Sequence, residues 1–222
     1  MTTSSAGPPS AAAIQRAASE FDLQIGNKQI EQIQQYTKIL LAWNDRINLT
    51  AIRDPLEILY RHFCESMYGA TVVPVEKCRL ADVGSGAGFP GLPLKIIRPD
   101  LEVFLIESNI KKATFMVEVI RELGLTDAKV LVSRYDELGE EVAPLDFVCS
   151  RALGDFAKLL AWAGSPQVSA KNVLFWLGGR DLGEVRAISG WDWDAAKPMP
   201  HSLQRLLLLG SKAETANSST TP

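Results

Sequence analysis

The chain has 222 residues, 46% hydrophobic and 22% charged, with a formal net charge of −3. That balance suits one soluble globular domain large enough to bury a core without disulfides or metals. An acidic total argues against nonspecific grip on bare nucleic acid, so any RNA partner must be met by a local patch.

Cys64, Cys78 and Cys149 stand far apart with no C-x-x-C spacing, and they read as reduced thiols packed inside a cytosolic protein. With only His62 and His201 available, no metal site is expected. No stretch approaches transmembrane length. The opening MTTSSAGPPSAAA has neither the basic start nor the apolar core of a secretory signal. The expectation is a cytoplasmic monomer without membrane contact, with disordered tails at 1–11 and 211–222.

Residues 12–76 are expected to form a helical cap. Ile30, Ile33, Tyr36, Ile39, Leu40 and Trp43 recur at three- and four-residue steps as one apolar stripe. Asp54-Pro55 then starts a further helix, with Asp54 as N-cap and Pro55 at the first helical position. Its Leu56, Leu59, Tyr60 and Phe63 share a face.

From 77 to 210 strands and helices alternate. Strands are predicted at 79–83, 102–106, 129–132, 146–149, 172–177 and 203–209, and helices at 90–97, 110–123 and 155–163. Short apolar strands between helices predict an α/β domain with a mostly parallel, doubly wound, Rossmann-like sheet.

The first strand runs from Leu80 through Asp82 and Val83 into Gly84, Gly86 and Gly88, and Phe89 follows. Glycines at a strand-to-helix junction let the backbone turn sharply and approach a ligand, which the helix N-terminal amides then face. Gly86 to Gly91 satisfies the G-x-G-x-x-G of dinucleotide sites. Read from Asp82, the same residues satisfy the [DE]-x-G-x-G-x-G of S-adenosylmethionine-dependent methyltransferases. In the dinucleotide motif the first glycine directly follows the strand. Counted from Gly84 the sixth position is Phe89, so that register fails. Asp82 suits a cofactor carrying a cationic sulfonium and an amino group, and orienting the loop through backbone amides is an equal reading of it. Glu107 ends the second strand, where an acid accepts ribose hydroxyls in either cofactor class. Tyr135 and Asp136, after the third strand, are candidates for the adenine amino group, with a solvated loop as the equal reading.

Several ordered motifs add to the loop: Trp43-Asn44, Asn48-Leu49-Thr50, Asp54-Pro55, Arg61-His62, DVGSGAGFPGLPL, Glu107-Ser108 with Lys111-Lys112 and Phe115, and Ser150-Arg151-Ala152. Through them the chain, from about Gln29 to Leu209, resembles the small-subunit ribosomal RNA guanine-N7 methyltransferases, also called glucose-inhibited division protein B. The resemblance implies S-adenosylmethionine as methyl donor and a guanine of 16S rRNA near the decoding region as acceptor, in free rRNA or in the small ribosomal subunit. By position it assigns Gly84, Phe89, Tyr135, Asp136 and Arg151 to the cofactor pocket, with Glu107 on the ribose. Two positions depart from the pattern. Glu65-Ser66 stands where many relatives have Asp-Ser, and Leu177-Gly178 where they often have Lys-Gly, with Arg180 as the candidate substitute.

Guanine N7 carries a free lone pair and loses no proton on attack, so no general base is expected. The protein's task is to hold N7, methyl carbon and sulfur in line, with reacting atoms about 3–3.5 Å apart. Arg151, just after the fourth strand, is the expected positioning residue at the reaction centre, and an ion pair with Asp82, Glu107 or a neighbour is the equal alternative. Asn48, Arg53, Arg61, His62, Lys111, Lys112 and Arg134 form the expected RNA-binding set. Lys111 and Lys112 open a helix, where the dipole disfavours cations; phosphate contact or a solvated face accounts for them equally. A small-molecule or protein acceptor, and a nonenzymatic nucleotide-sensing role, are the competing readings.

Overall fold

A computed structural model of the chain describes residues 7–74, 76–151 and 154–213. The chain opens with α1 (Ala11–Glu20) and α2 (Asn27–Asn44). The expected tail over 1–11 is too long. Ser10 caps α1 by accepting from the Ala13 amide, Pro9 is buried, and the Pro9 carbonyl accepts from Gln34 Nε2 at 2.9 Å. Residues 1–6 lie outside the described residues.

Asp54 caps α3 (Pro55–Ile58) as its side chain predicts, accepting from the Glu57 amide at 2.8 Å. The helix then passes through a π-helical stretch, Leu59–Cys64, into α4 (Glu65–Tyr68). The sequence pattern predicted an unbroken helix here.

The alternating half runs β1 (Arg79–Val83), α5 (Gly91–Ile97), β2 (Glu102–Ile106), α6 (Ile110–Glu122), β3 (Ala128–Leu131), β4 (Phe147–Arg151), α7 (Phe156–Gly164) and β5 (Asn172–Gly178). It ends with α8 (Leu182–Arg186), β6 (Trp191–Trp193), β7 (Lys197–Pro198) and β8 (Arg205–Lys212). Strand order is β3-β2-β1-β4-β5-β8-β6, with β7 also on β8. The first five strands pair in parallel, while β8 joins β5 antiparallel and carries β6 and β7 antiparallel. β8 extends through Ser211 and Lys212, two residues into the segment expected as a tail; residues 214–222 lie outside the described residues.

Side chains alternate between the sheet's two faces, as strand geometry requires. Leu80, Val103, Leu105, Cys149, Leu174 and Trp176 face a core shared with Ile14, Ile33, Tyr36, Phe63, Leu92 and Phe115. Ala81, Phe104, Val148, Val173 and Phe175 face a second core with Phe156, Leu159, Leu160 and Val185. The N-terminal helices therefore share one core with α5, α6 and the sheet. β1 lies between β2 and β4, so the strand order reverses there. Open α/β sheets bind ligands outside the carboxyl ends of the strands at such a point.

Candidate active site

All three glycines after β1 adopt left-handed backbone, with φ of 72°, 59° and 80° at Gly84, Gly86 and Gly88. The amides of Gly84 and Ser85 donate to the Ile106 carbonyl at 2.9 and 3.1 Å, which fastens the turn to β2. The glycines have different reasons to lack a side chain. A Cβ at Gly88 would lie 2.5 Å from both Leu92 Cδ1 and the Tyr36 hydroxyl, so that position is closed by packing. A Cβ at Gly86 would meet only the Gly84 carbonyl, at 3.8 Å, and would project into an open cleft. Gly86 is the point where backbone is bared for a ligand.

Asp82 is fully buried. Its Oδ2 accepts from the Gly91 amide at 2.9 Å, which fixes the start of α5 against β1, and burial pushes its carboxyl up to about 7. Of the two readings of Asp82, orienting the loop is the one the geometry supports; the carboxyl has no surface on the cleft.

Glu107, 8% exposed, accepts from the Gly86 amide at 3.0 Å and from the Asn109 amide at 2.8 Å. A carboxylate has about four lone-pair directions, so two hydroxyls can still be accepted. A hollow of about 180 Å³ opens beside it, bounded by Gly84, Ile106, Ser133, Tyr135 and Asp136. Ion pairs to Arg134 (3.1 Å) and Lys158 hold the Asp136 carboxyl well below the usual range. Arg134, expected on RNA, is therefore paired at the rim of this hollow.

A second hollow, about 210 Å³, lies across the glycine turn and is lined by Leu49, Thr50, His62, Gly86, Phe89 and Arg151. The His62 ring stacks on Phe89 (centroids 4.8 Å apart, 22° between planes), and Phe89 stacks on Tyr36 (5.3 Å, 6°). The Tyr36 hydroxyl donates to the Ala87 carbonyl, so α2 reaches into the turn itself. Buried Asn44 accepts from the amides of Leu49 (2.8 Å) and Thr50 (3.0 Å), and Thr50 Oγ1 lies 2.7 Å from His62 Nε2. The Trp43–Thr50 motif thereby sets the orientation of the imidazole. Burial, reinforced by the charges of Arg151 and Arg61, lowers the His62 pKa to about 3. The ring is neutral and nearly non-basic.

Arg151, at the end of β4, has a side chain 17% exposed, with Nη2 3.6 Å from Glu65 Oε2. Neither Asp82 nor Glu107 is its partner. The other Glu65 oxygen accepts from Arg205 Nε at 2.8 Å and Nη2 at 2.6 Å. Arg151 also borders a third and larger cavity of about 500 Å³, whose walls include Arg61, Glu65, Trp176, Leu177 and Arg205. Arg180 is exposed and is not among the residues lining it. Arg205 and Tyr36 are site residues that the sequence reading missed.

The remaining expected RNA contacts do not gather on one face. Arg53 pairs with Asp45 at 3.1 Å in solvent, and Arg61 pairs with Glu57 at 3.1 Å while facing the large cavity. Asn48 is exposed, and Lys111 and Lys112 lie at the α6 start, where Asn109 caps their amides at 3.0 and 3.3 Å. The asparagine cap makes the two lysines tolerable at that end. Ala152, the last residue of the Ser150-Arg151-Ala152 motif, lies outside the described residues.

This strand order around a glycine turn is the fold of the Rossmann-like methyltransferases. A solved structure described as a SAM dependent methyltransferase from Aquifex aeolicus matches with a TM-score of 0.55 at 16% identity, covering 72% of this chain and 94% of that one. Within that class, the family described as GidB, rRNA small subunit methyltransferase G, matches residues 29–188, and the chain belongs to this family. The ribosomal RNA small subunit methyltransferase G of Roseiflexus castenholzii is 42% identical over 150 residues, which are 66% of this chain and 64% of that protein. The protein of that name from Lactococcus lactis subsp. cremoris is 39% identical over 150 residues, 64% of this chain and 62% of its own length. The match thus spans somewhat under two thirds of these relatives.

Proposed function

We propose that this chain transfers a methyl group from S-adenosylmethionine to N7 of a guanine in 16S rRNA. The observation that carries the reading is the bared backbone at Gly86, set between Glu107 on one side and His62, Phe89 and Arg151 on the other, in a chain of the rRNA small subunit methyltransferase G family. When bound, the cofactor supplies an electrophilic methyl carbon on a sulfonium.

The residues divide the work. Glu107, Tyr135 and Asp136 offer acceptors and a ring face to an adenosine, and Gly84 of the turn lines both hollows. His62, kept neutral, adds no positive charge beside a sulfonium. Among the described residues lining the His62 hollow none is a carboxylate, and His62 is too weak a base to take a proton. That fits an acceptor that attacks with a lone pair it already has, as N7 does. A ribosomal acceptor would place the activity in the cytoplasm.

The test is transfer of labelled methyl from S-adenosylmethionine to small subunits, or to naked 16S rRNA, from cells lacking this activity, with the modified nucleotide mapped by mass spectrometry. Incorporation at one guanine N7 is expected. Absence of label in both substrates would overturn the assignment.

A further inference from the structure

The large cavity adjoins the His62 hollow at Arg151, the only one of the described residues that lines both. We propose that this cavity receives the target base itself, holding guanine with O6 against Arg151 and its N1–H and N2–H₂ edge against the α8-side carboxylates Asp181 and Glu184. The inference rests on the methyl-transfer reading above.

Three observations carry it. Arg151 Nη1 is buried with no hydrogen-bond partner among the described residues, an unmet donor on a side chain that lines the cavity; buried donors are rarely left so. Glu65 grips Arg205 through one oxygen and approaches Arg151 with the other, so the guanidinium is oriented by a nearly fully buried carboxylate. The walls also have the right mix: Trp176, Phe156 and Met199 supply apolar surface, Arg151 a donor, and Asp181 and Glu184 acceptors. At about 500 Å³ the cavity is of small-molecule-site size.

The polarity selects the base. A donor aimed at N7 would occupy the lone pair that must attack, whereas a donor at the adjacent O6 leaves N7 free. Guanine alone of the purines pairs an O6 acceptor with an N1–H and N2–H₂ donor edge. Adenine would set its N6 amino donor against the arginine and offer nothing to the acids. Arg151 is then the catalytic residue by contact with the base, and Glu65 is a positioning residue acting through it.

Two measurements on the full chain test this. In the presence of S-adenosylhomocysteine, guanosine 5′-monophosphate should shift the Trp176 indole N–H resonance. Adenosine 5′-monophosphate and the 2-aminopurine analogue lacking O6 should bind at least about tenfold more weakly. Equal affinity for the three, or an unmoved Trp176, would overturn the proposal. The doubly neutralised variant Asp181→Asn with Glu184→Gln should lower kcat/KM on small subunits about ten- to a hundredfold while cofactor affinity by calorimetry stays within twofold. Glu65→Gln should lower the same constant, and Glu65→Asp, which restores the charge, should recover most of it. An active parent chain whose double variant keeps full kcat/KM sinks the cavity assignment and leaves N7 methylation standing. An inactive parent chain that still selects guanosine monophosphate at Trp176 sinks the methylation reading and leaves a guanine site.

Discussion

Gly86 and Gly88 share a left-handed backbone, yet the structure assigns them opposite costs on substitution. Placing alanine at either strains the backbone by about 1–2 kcal/mol, the penalty of a Cβ in that conformation. At Gly88 the new carbon also falls 2.5 Å from Leu92 and from the Tyr36 hydroxyl, both with no exposed surface. Overpacking of that kind adds about 1–3 kcal/mol. Gly88→Ala should therefore cost about 2–5 kcal/mol in urea unfolding, and Gly86→Ala only about 1–2. Ligand binding should follow a different order. The Gly86 methyl enters the cleft and should weaken S-adenosylhomocysteine binding at least about tenfold, because a displaced or distorted contact of 1–2 kcal/mol has that effect. Gly86→Val, which fills the cleft further, should abolish it. Wild-type affinity in Gly86→Ala would refute the claim that the ligand approaches there. Equal stability of the two alanine variants would refute the assignment of Gly88 to packing.

Tyr36→Phe keeps the ring stacked on Phe89 but leaves the Ala87 carbonyl without its hydroxyl donor, so a loss of about 1–3 kcal/mol is expected in thermal or urea unfolding. His62 has a folded pKa near 3 against an unfolded value of 6.5; its contribution is complete above pH 6.5 and is lost as pH falls toward 3, on the order of 4–5 kcal/mol. His62→Gln should flatten that acid limb in unfolding measured across this window. Asp82 has the opposite sign: its folded pKa of about 7 lies above the unfolded 3.8, so stability declines as pH rises between them, by roughly 4 kcal/mol. Asp82→Asn, which keeps an acceptor for the Gly91 amide, should gain on the wild type with rising pH over that interval; a constant difference would show that the buried carboxyl is not what titrates.

The elements set by periodicity were legible in the sequence. All five parallel strands fall within two residues of their predicted bounds, and Asp54-Pro55 marks its helix start as capping chemistry requires. The elements that escaped are those that local pattern cannot encode. β6 and β7 have three and two residues, too short for an alternation, and exist because β8 offers its edge. The π-helical stretch is a hydrogen-bond shift with no residue signature. At the site, the glycines were readable because a backbone demand restricts the residue type, and Glu107 because it ends the strand beside them. The Glu65–Arg205 pair was not, since its partners lie 140 positions apart and nothing local marks a glutamate as buried. Tyr36 was read only as part of an apolar stripe; its hydroxyl on the glycine turn is a tertiary fact.

The charge balance posed a difficulty for an RNA partner, and the pairing pattern addresses it. The three arginines of the expected RNA-binding set, and Arg151 with them, meet carboxylates within the chain: Arg53 with Asp45, Arg61 with Glu57, Arg134 with Asp136, and Arg151 with Glu65. Such pairs hold the guanidinium groups in place while keeping net charge low, which also limits repulsion toward a cationic cofactor. The exposed pairs are weak, screened by solvent, so a phosphate can displace the carboxylate at little cost. The Glu65 pair is different in kind, because its carboxylate is buried and accepts from a second arginine. On the proposed function, the rim arginines are free to exchange partners when RNA arrives, and Arg151 is held fixed beside the reacting base. Salt should therefore weaken RNA binding through the rim while leaving the Arg151 geometry, and so the bound-state rate, nearly unchanged.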